Sequence, residues 1–259
     1  MTASEVIAVM EQQRDEKQRQ ALMRFFKTGP GQYGEGDEFL GLKVPQTRHV
    51  ARLASDLPCD EITSLLTNRW HEVRLCGLLL LVDRFERSAK PRLADDTEAT
   101  SRRDLVVQTY LDHARWANNW DLVDLSAPKI LGHWLLLPTA MGGTGLAMRH
   151  DYKLQVLDSL ADSDNLWLQR MSIVCTWKTT QQGEPSYCLR YAERHLHHPH
   201  DLMHKAVGWM LREMGKRISM DLLRQFLERH AHEMPRIALR YAIERMSVDE
   251  RHYWMDLKS

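Results

Sequence analysis

Apolar residues recur every three or four positions along almost the whole chain, and that spacing predicts helix after helix. Val6, Ile7, Val9 and Met10 open the series, and Leu22, Met23, Phe25 and Phe26 continue it until Lys27-Thr28-Gly29-Pro30-Gly31 stops the second helix. The 29–37 segment carries four glycines and a proline and reads as a loop, while Pro45 suits the first turn of a helix bearing Val50 and Leu53. Further helices are expected over 61–66, 72–85, 105–115, 120–136, 154–160, 167–177, 188–196, 202–218, 222–227 and 237–246, with a short closing one near Tyr253. No segment alternates with the period of a strand. No glycine-serine linker interrupts the pattern, so a single all-α domain over 1–259 is expected.

Some helices echo one another. Glu72-Val73-Arg74-Leu75-Cys76-Gly77, Leu168-Gln169-Arg170-Met171-Ser172-Ile173 and Met203-His204-Lys205-Ala206-Val207-Gly208 each set a basic residue before an apolar one and then small ones. From Arg74 to Trp120, Arg170 and Lys205 the steps are about 46, 50 and 35 residues, the range of HEAT-like helical pairs stacked into a curved α-solenoid. The alternative is a compact helical bundle, which would offer no continuous concave surface.

Composition narrows the picture. Thirty-five basic and thirty-five acidic residues cancel, so a nucleic-acid surface has to come from local clustering. Cys59, Cys76, Cys175 and Cys188 lack C-x-x-C spacing and read as free thiols, imply no metal site, and suit a reducing cytoplasm. The first residues lack a basic-then-apolar signal, and the longest apolar run, 76–82, is too short to span a bilayer. A soluble, cytoplasmic protein is expected.

The stretch richest in chemistry is Asn119-Trp120-Asp121-Leu122-Val123-Asp124-Leu125-Ser126-Ala127-Pro128-Lys129. Trp120 and Asp124 stand four residues apart, hence one helical turn apart on one face. Asp124 sits between Val123 and Leu125, where a carboxylate needs a partner or a task. Pro128 cannot bond the carbonyl of Asp124, so the helix should kink or end near that carboxylate. The plainer reading is a helix N-terminus capped by Asn118 or Asn119, with Asp121 and Asp124 favoured by the helix dipole. On a helix over 202–218, Val207, Met210, Leu211, Met214 and Ile218 form one stripe and Lys205, Trp209, Arg212 and Lys216 the opposite one. An indole within a basic stripe offers phosphate contacts beside a flat, cation-binding face. Arg170 and Lys178, eight residues apart, should share a helix side next to Trp167.

These motifs together, Asn119-Trp120-Asp121-Leu122-Val123-Asp124, Trp167-Leu168-Gln169-Arg170 and Gly208-Trp209-Met210-Leu211-Arg212, with the 33–42 segment Tyr33-Gly34-Glu35-Gly36-Asp37-Glu38-Phe39-Leu40-Gly41-Leu42, resemble the DNA alkylation repair family of HEAT-like-repeat glycosylases (AlkD-like) over roughly 5–246. The resemblance implies an α-solenoid that grips duplex DNA on its concave face and excises N3- and N7-alkylated purines, leaving the lesion largely in the stack. It places the active-site residues on Trp120, Asp124 and Trp209, and the phosphate-holding arginines on Arg170 and Arg212. Lys178 and Lys205 are added as DNA contacts from their positions beside these arginines. Residues 88–104 and 138–149 look longer than the tight turns of compact members, and Val44 stands before Pro45 where a polar residue can occur; these, with 29–44, concern the DNA periphery.

The chemistry implied suits the residue types. An alkylated purine is cationic and leaves without protonation, so what needs stabilising is positive charge growing on C1′ of the sugar. A carboxylate such as Asp124 can do that and orient water. A protein acting on alkylated duplex DNA as a monomer, without cofactor, metal or membrane, is the resulting expectation. The alternative is a non-catalytic helical scaffold binding DNA or protein on its concave face. Among other features, Gly142-Gly143-Thr144-Gly145 lacks the preceding strand of a nucleotide-binding loop. His195, His197, His198, His200 and His204 crowd a turn without completing a ligand set, and Trp116, Trp134 and Trp177 read as inter-helix packing.

Overall fold

A computed structural model describes residues 1–143 and 145–257, so Thr144 of the glycine cluster lies outside the described residues. Its elements are α1 (Ala3–Glu11), α2 (Glu16–Phe25), α3 (Val44–Leu53), α4 (Cys59–Leu66), α5 (His71–Ser88), α6 (Thr97–Asp112) and α7 (Trp120–Ser126), then a π-helical turn (Pro128–Gly132). They continue with α8 (Leu146–Ala161), α9 (Leu166–Val174), α10 (Thr176–Gln181), α11 (Ser186–Arg194), α12 (Asp201–Arg217), α13 (Met220–His230), α14 (Arg236–Ala242) and α15 (Val248–Asp256). The protein is all-α. Among the described residues the sole β-type pairing is an isolated bridge between Glu38 and Trp70, and no helix is long and apolar enough to cross a membrane. Contacts gather into two compact units: Met1–Ser126 with Pro138–Ala140, and Ala127–Leu137 with the residues from Met141 onward.

In the first unit α5 is the hub. Its sequence is apolar on every side from Leu75 to Val82, and it is accordingly buried all round, packed against α3, α4, α6 and α7. Two charged residues at its head, Glu72 and Arg74, are buried with it. The Glu72 carboxylate accepts the backbone N–H groups of Leu40, Gly41 and Leu42 at 2.8–3.0 Å, which pins the segment leading into α3. Gly41, at φ 96°, turns so close to α2 that a Cβ would lie 2.1 Å from the Asp15 carbonyl oxygen.

The 88–104 stretch is shorter as a loop than its sequence suggests. Asp96 accepts the Ala99 N–H and caps α6, so helix resumes at Thr97. The fully buried Arg103 reaches back to the carbonyls of Ser88, Leu93 and Ala94. Likewise α8 starts at Leu146, within the stretch expected as a loop.

The second unit is built on α12, whose Met203, Ala206, Val207, Met210, Leu211 and Met214 are buried against α9, α10, α11, α13 and α14. The helix expected over 167–177 is two helices. Ser172, Thr176 and Thr179 each turn a hydroxyl onto a carbonyl three residues back, bonds that compete with the regular ladder, and the chain breaks at Cys175 between α9 and α10. Arg170 and Lys178 therefore sit on different helices. The interruption expected at Pro128 is present: α7 ends at Ser126, and the Gly132 N–H bonds the Ala127 carbonyl five residues back.

All four cysteines are free, and Cys76, Cys175 and Cys188 are buried. Burial pushes the Cys76 and Cys188 thiols up to about 12 and the Cys175 thiol higher as well.

Candidate functional site

The seven-residue helix α7 starts where the buried Asn119 accepts the Trp120 N–H at 2.9 Å on its side-chain oxygen. Trp120 and Asp124 follow one turn apart, both half-buried. The Trp120 indole stacks on Phe26 at 5.4 Å and meets the exposed ring of Phe25 edge-on at 5.9 Å. Phe26 stacks on Phe39 at 5.2 Å, and Phe39 on the His71 imidazole at 4.4 Å. This run of rings lines an open cavity of about 500 Å³ bounded by α2, the 39–45 segment, the head of α5 and α7. Its walls are mostly apolar, with His71 and Glu72 as buried polar groups, Asp121 half-buried, and Lys43 and Gln18 toward the rim.

Beneath the rings runs a buried chain of charges. His71 places Nδ1 2.7 Å from Asp37 and Nε2 2.9 Å from Asp121. Arg74 also bonds Asp37, and it gathers the residues ahead of α7 by donating to the Trp116 carbonyl and the Asn118 side chain. Burial opposes charge on His71, yet the charges of Asp121 and Asp37 and their hydrogen bonds outweigh it and raise the imidazole to about 9. Burial likewise opposes the Asp37 carboxylate, but His71 and Arg74 hold it below the ordinary range.

In the second unit α12 divides as its sequence indicates. Lys205 and Lys216 are exposed and Trp209 and Arg212 half-buried, opposite the buried apolar stripe. Gly208 sets the position of this face, since a Cβ there would meet the Ala238 carbonyl oxygen of α14 at 2.3 Å. Arg212 pairs with Glu244 and lies 3.8 Å from the buried Glu213. Arg170 on α9 is only 5% exposed and donates to the Leu202 carbonyl at 2.6 Å, which ties α9 to the start of α12. Lys178 on α10 is half-buried, its ammonium 3.4 Å from Gln181.

The sequence profile of the DNA alkylation repair enzyme family matches residues 6–246. The chain belongs to that family. No curated protein matches the sequence. A solved structure, described as a predicted DNA alkylation repair enzyme from Enterococcus faecalis, shares the fold at a TM-score of 0.62 and 14% identity, over 91% of this chain and 97% of that one.

For this member of the DNA alkylation repair enzyme family, the structure groups Trp120 with Asp124 on α7, and Trp209 with Arg212 and Lys205 on α12. Arg170 and Lys178 are not on one helix face. Trp134 is fully buried under the Lys153 ammonium and Trp177 lies beneath the Arg217 guanidinium, as packing residues do, but Trp116 is 44% exposed. The Asp37–His71–Asp121 bridge had no local signal, because its partners are 34 and 50 residues apart. A hint was available in Glu72 and Arg74, two charges heading a helix otherwise too apolar to face water.

Proposed function

We propose that the protein is a DNA glycosylase that excises cationic N3- and N7-alkylated purines, such as 3-methyladenine and 7-methylguanine, from duplex DNA without flipping the base. The observation that carries this reading is the pairing of Trp120 and Asp124 on α7, both partly open, with the indole in the cavity wall. Asp124 stabilises the positive charge on C1′ as the glycosidic bond stretches and orients the attacking water. Trp120 and Trp209 offer ring faces to the cationic nucleotide, each contributing about 0.5–2 kcal/mol. Arg212, Arg170, Lys178 and Lys205 bind phosphates. No acid is needed, since the alkylated base leaves neutral.

The experiment is single-turnover base release from methylated duplex DNA. Wild type should release 3-methyladenine and 7-methylguanine and leave hypoxanthine and uracil in place. Asp124→Asn keeps shape but removes the charge, so release should fall by about a hundredfold or more while DNA affinity holds. Full release by that variant removes Asp124 from the mechanism. No release by wild type leaves a DNA- or protein-binding scaffold.

A further inference from the structure

We propose that His71 is a positioning residue whose doubly protonated ring, clamped between Asp37 and Asp121, fixes the first turn of α7 and through it the setting of Trp120 and Asp124. The inference rests on reading α7 as the catalytic helix, and it adds a residue to the Trp120–Asp124 pair.

The geometry demands two donors. Both ring nitrogens face carboxylate oxygens, at 2.7 and 2.9 Å, and an ionised carboxylate only accepts. A neutral imidazole has one N–H, so it can satisfy only one partner and turns a lone pair to the other. The remaining neighbours do not replace the lost bond. Arg74 is engaged with Asp37, Asn118 and three backbone carbonyls, and Glu72 is saturated by the backbone of residues 40–42. Phe26 and Phe39 cover the ring with apolar surface. On the α7 side, Asp121 depends on His71, since its second oxygen is buried without a partner. Asp121 follows Trp120 directly and precedes Asp124 by three residues. Where the Nε2 proton is the one lost, the Asp121 oxygen would face a lone pair while its other oxygen is already unpartnered, a state relieved by letting the first turn of α7 move away from α5.

This can be read on the intact protein by NMR, following the His71 ring and the Trp120 indole N–H from neutral pH to about pH 10.5, with Trp120→Phe for assignment. The Trp120 signal should shift with the same midpoint as His71, above the ordinary histidine range. Asp121→Asn, close in shape, removes one of the two charges that hold the proton, so both midpoints should drop by about one pH unit or more. Single-turnover release of 7-methylguanine, corrected for uncatalysed loss, should fall about tenfold through the same midpoint at unchanged DNA affinity, and this fall should also move down in Asp121→Asn. A Trp120 signal that ignores the His71 titration, or midpoints indifferent to Asp121→Asn, would overturn the proposal. If wild type releases no base at any pH, the glycosylase reading fails on its own, and the NMR titration still decides whether His71 sets Trp120.

Discussion

Gly208 of α12 lies so close to Ala238 of α14 that a Cβ would stand 2.3 Å from the Ala238 carbonyl oxygen and 2.5 Å from the Tyr241 Cβ. Backbone cannot yield as a flexible side-chain tip would, so Gly208→Ala must separate the two helices and carry Trp209 and Arg212 with them. The expected loss is about 1–3 kcal/mol of stability in urea unfolding, together with weakened DNA binding. Unchanged stability would show that α14 adjusts without moving α12.

Glu72 offers a sharper test of the first unit. Three backbone N–H groups converge on one buried carboxylate, and hydrogen bonds to a charged acceptor contribute about 1.5–3 kcal/mol each. Glu72→Gln presents an amide NH₂ to at least one of those donors, so unfolding free energy should drop by about 3 kcal/mol or more. A drop below about 1 kcal/mol would mean that the 40–42 segment finds other acceptors.

The two arginines of the candidate DNA set should behave differently. Arg212 pairs with the half-exposed Glu244, so Arg212→Ala should fold normally, weaken binding to methylated and unmethylated duplex alike, and reduce the salt slope by about one phosphate. Arg170 is buried and holds the Leu202 carbonyl, so Arg170→Ala should lose stability as well as affinity. Salt-dependent binding isotherms and thermal unfolding of both variants separate the cases.

His195 sets a pH dependence at the acid end. Burial first, then His198 and Arg194, lowers it to about 4, and Ser172 meets its Nε2 at 2.8 Å. A group whose folded pKa lies below its unfolded value of about 6.5 contributes stability that is present above that value and lost as pH falls toward 4. At full size the contribution is about 3 kcal/mol. Thermal unfolding between pH 7 and pH 4 should show the decline, and His195→Gln should flatten it.

Most of the helices were legible because they carry a 3.6-residue apolar stripe, and Pro128 announced the end of α7 through its missing N–H. What the pattern concealed was competition between side chain and backbone: the hydroxyls of Ser172, Thr176 and Thr179 split one expected helix into two, which parted Arg170 from Lys178. Trp120 and Asp124 could be singled out because their relation is local, one turn of one helix. His71 could not, since its meaning lies in Asp37 and Asp121, and chain distance hides both. Asp121 itself reads in sequence as a residue favoured by a helix dipole, whereas in the fold it is half of a charge bridge.

The sealed cysteines acquire another sense in a protein of this family. Thiolates are the nucleophiles that electrophiles consume first, and a thiol held protonated in a closed core is inert toward them. Cys76, Cys175 and Cys188 are all so held, whereas Cys59 is only half-buried. The same methylating agents that create the proposed substrate thus find these three thiols closed to them in the protein that would remove it.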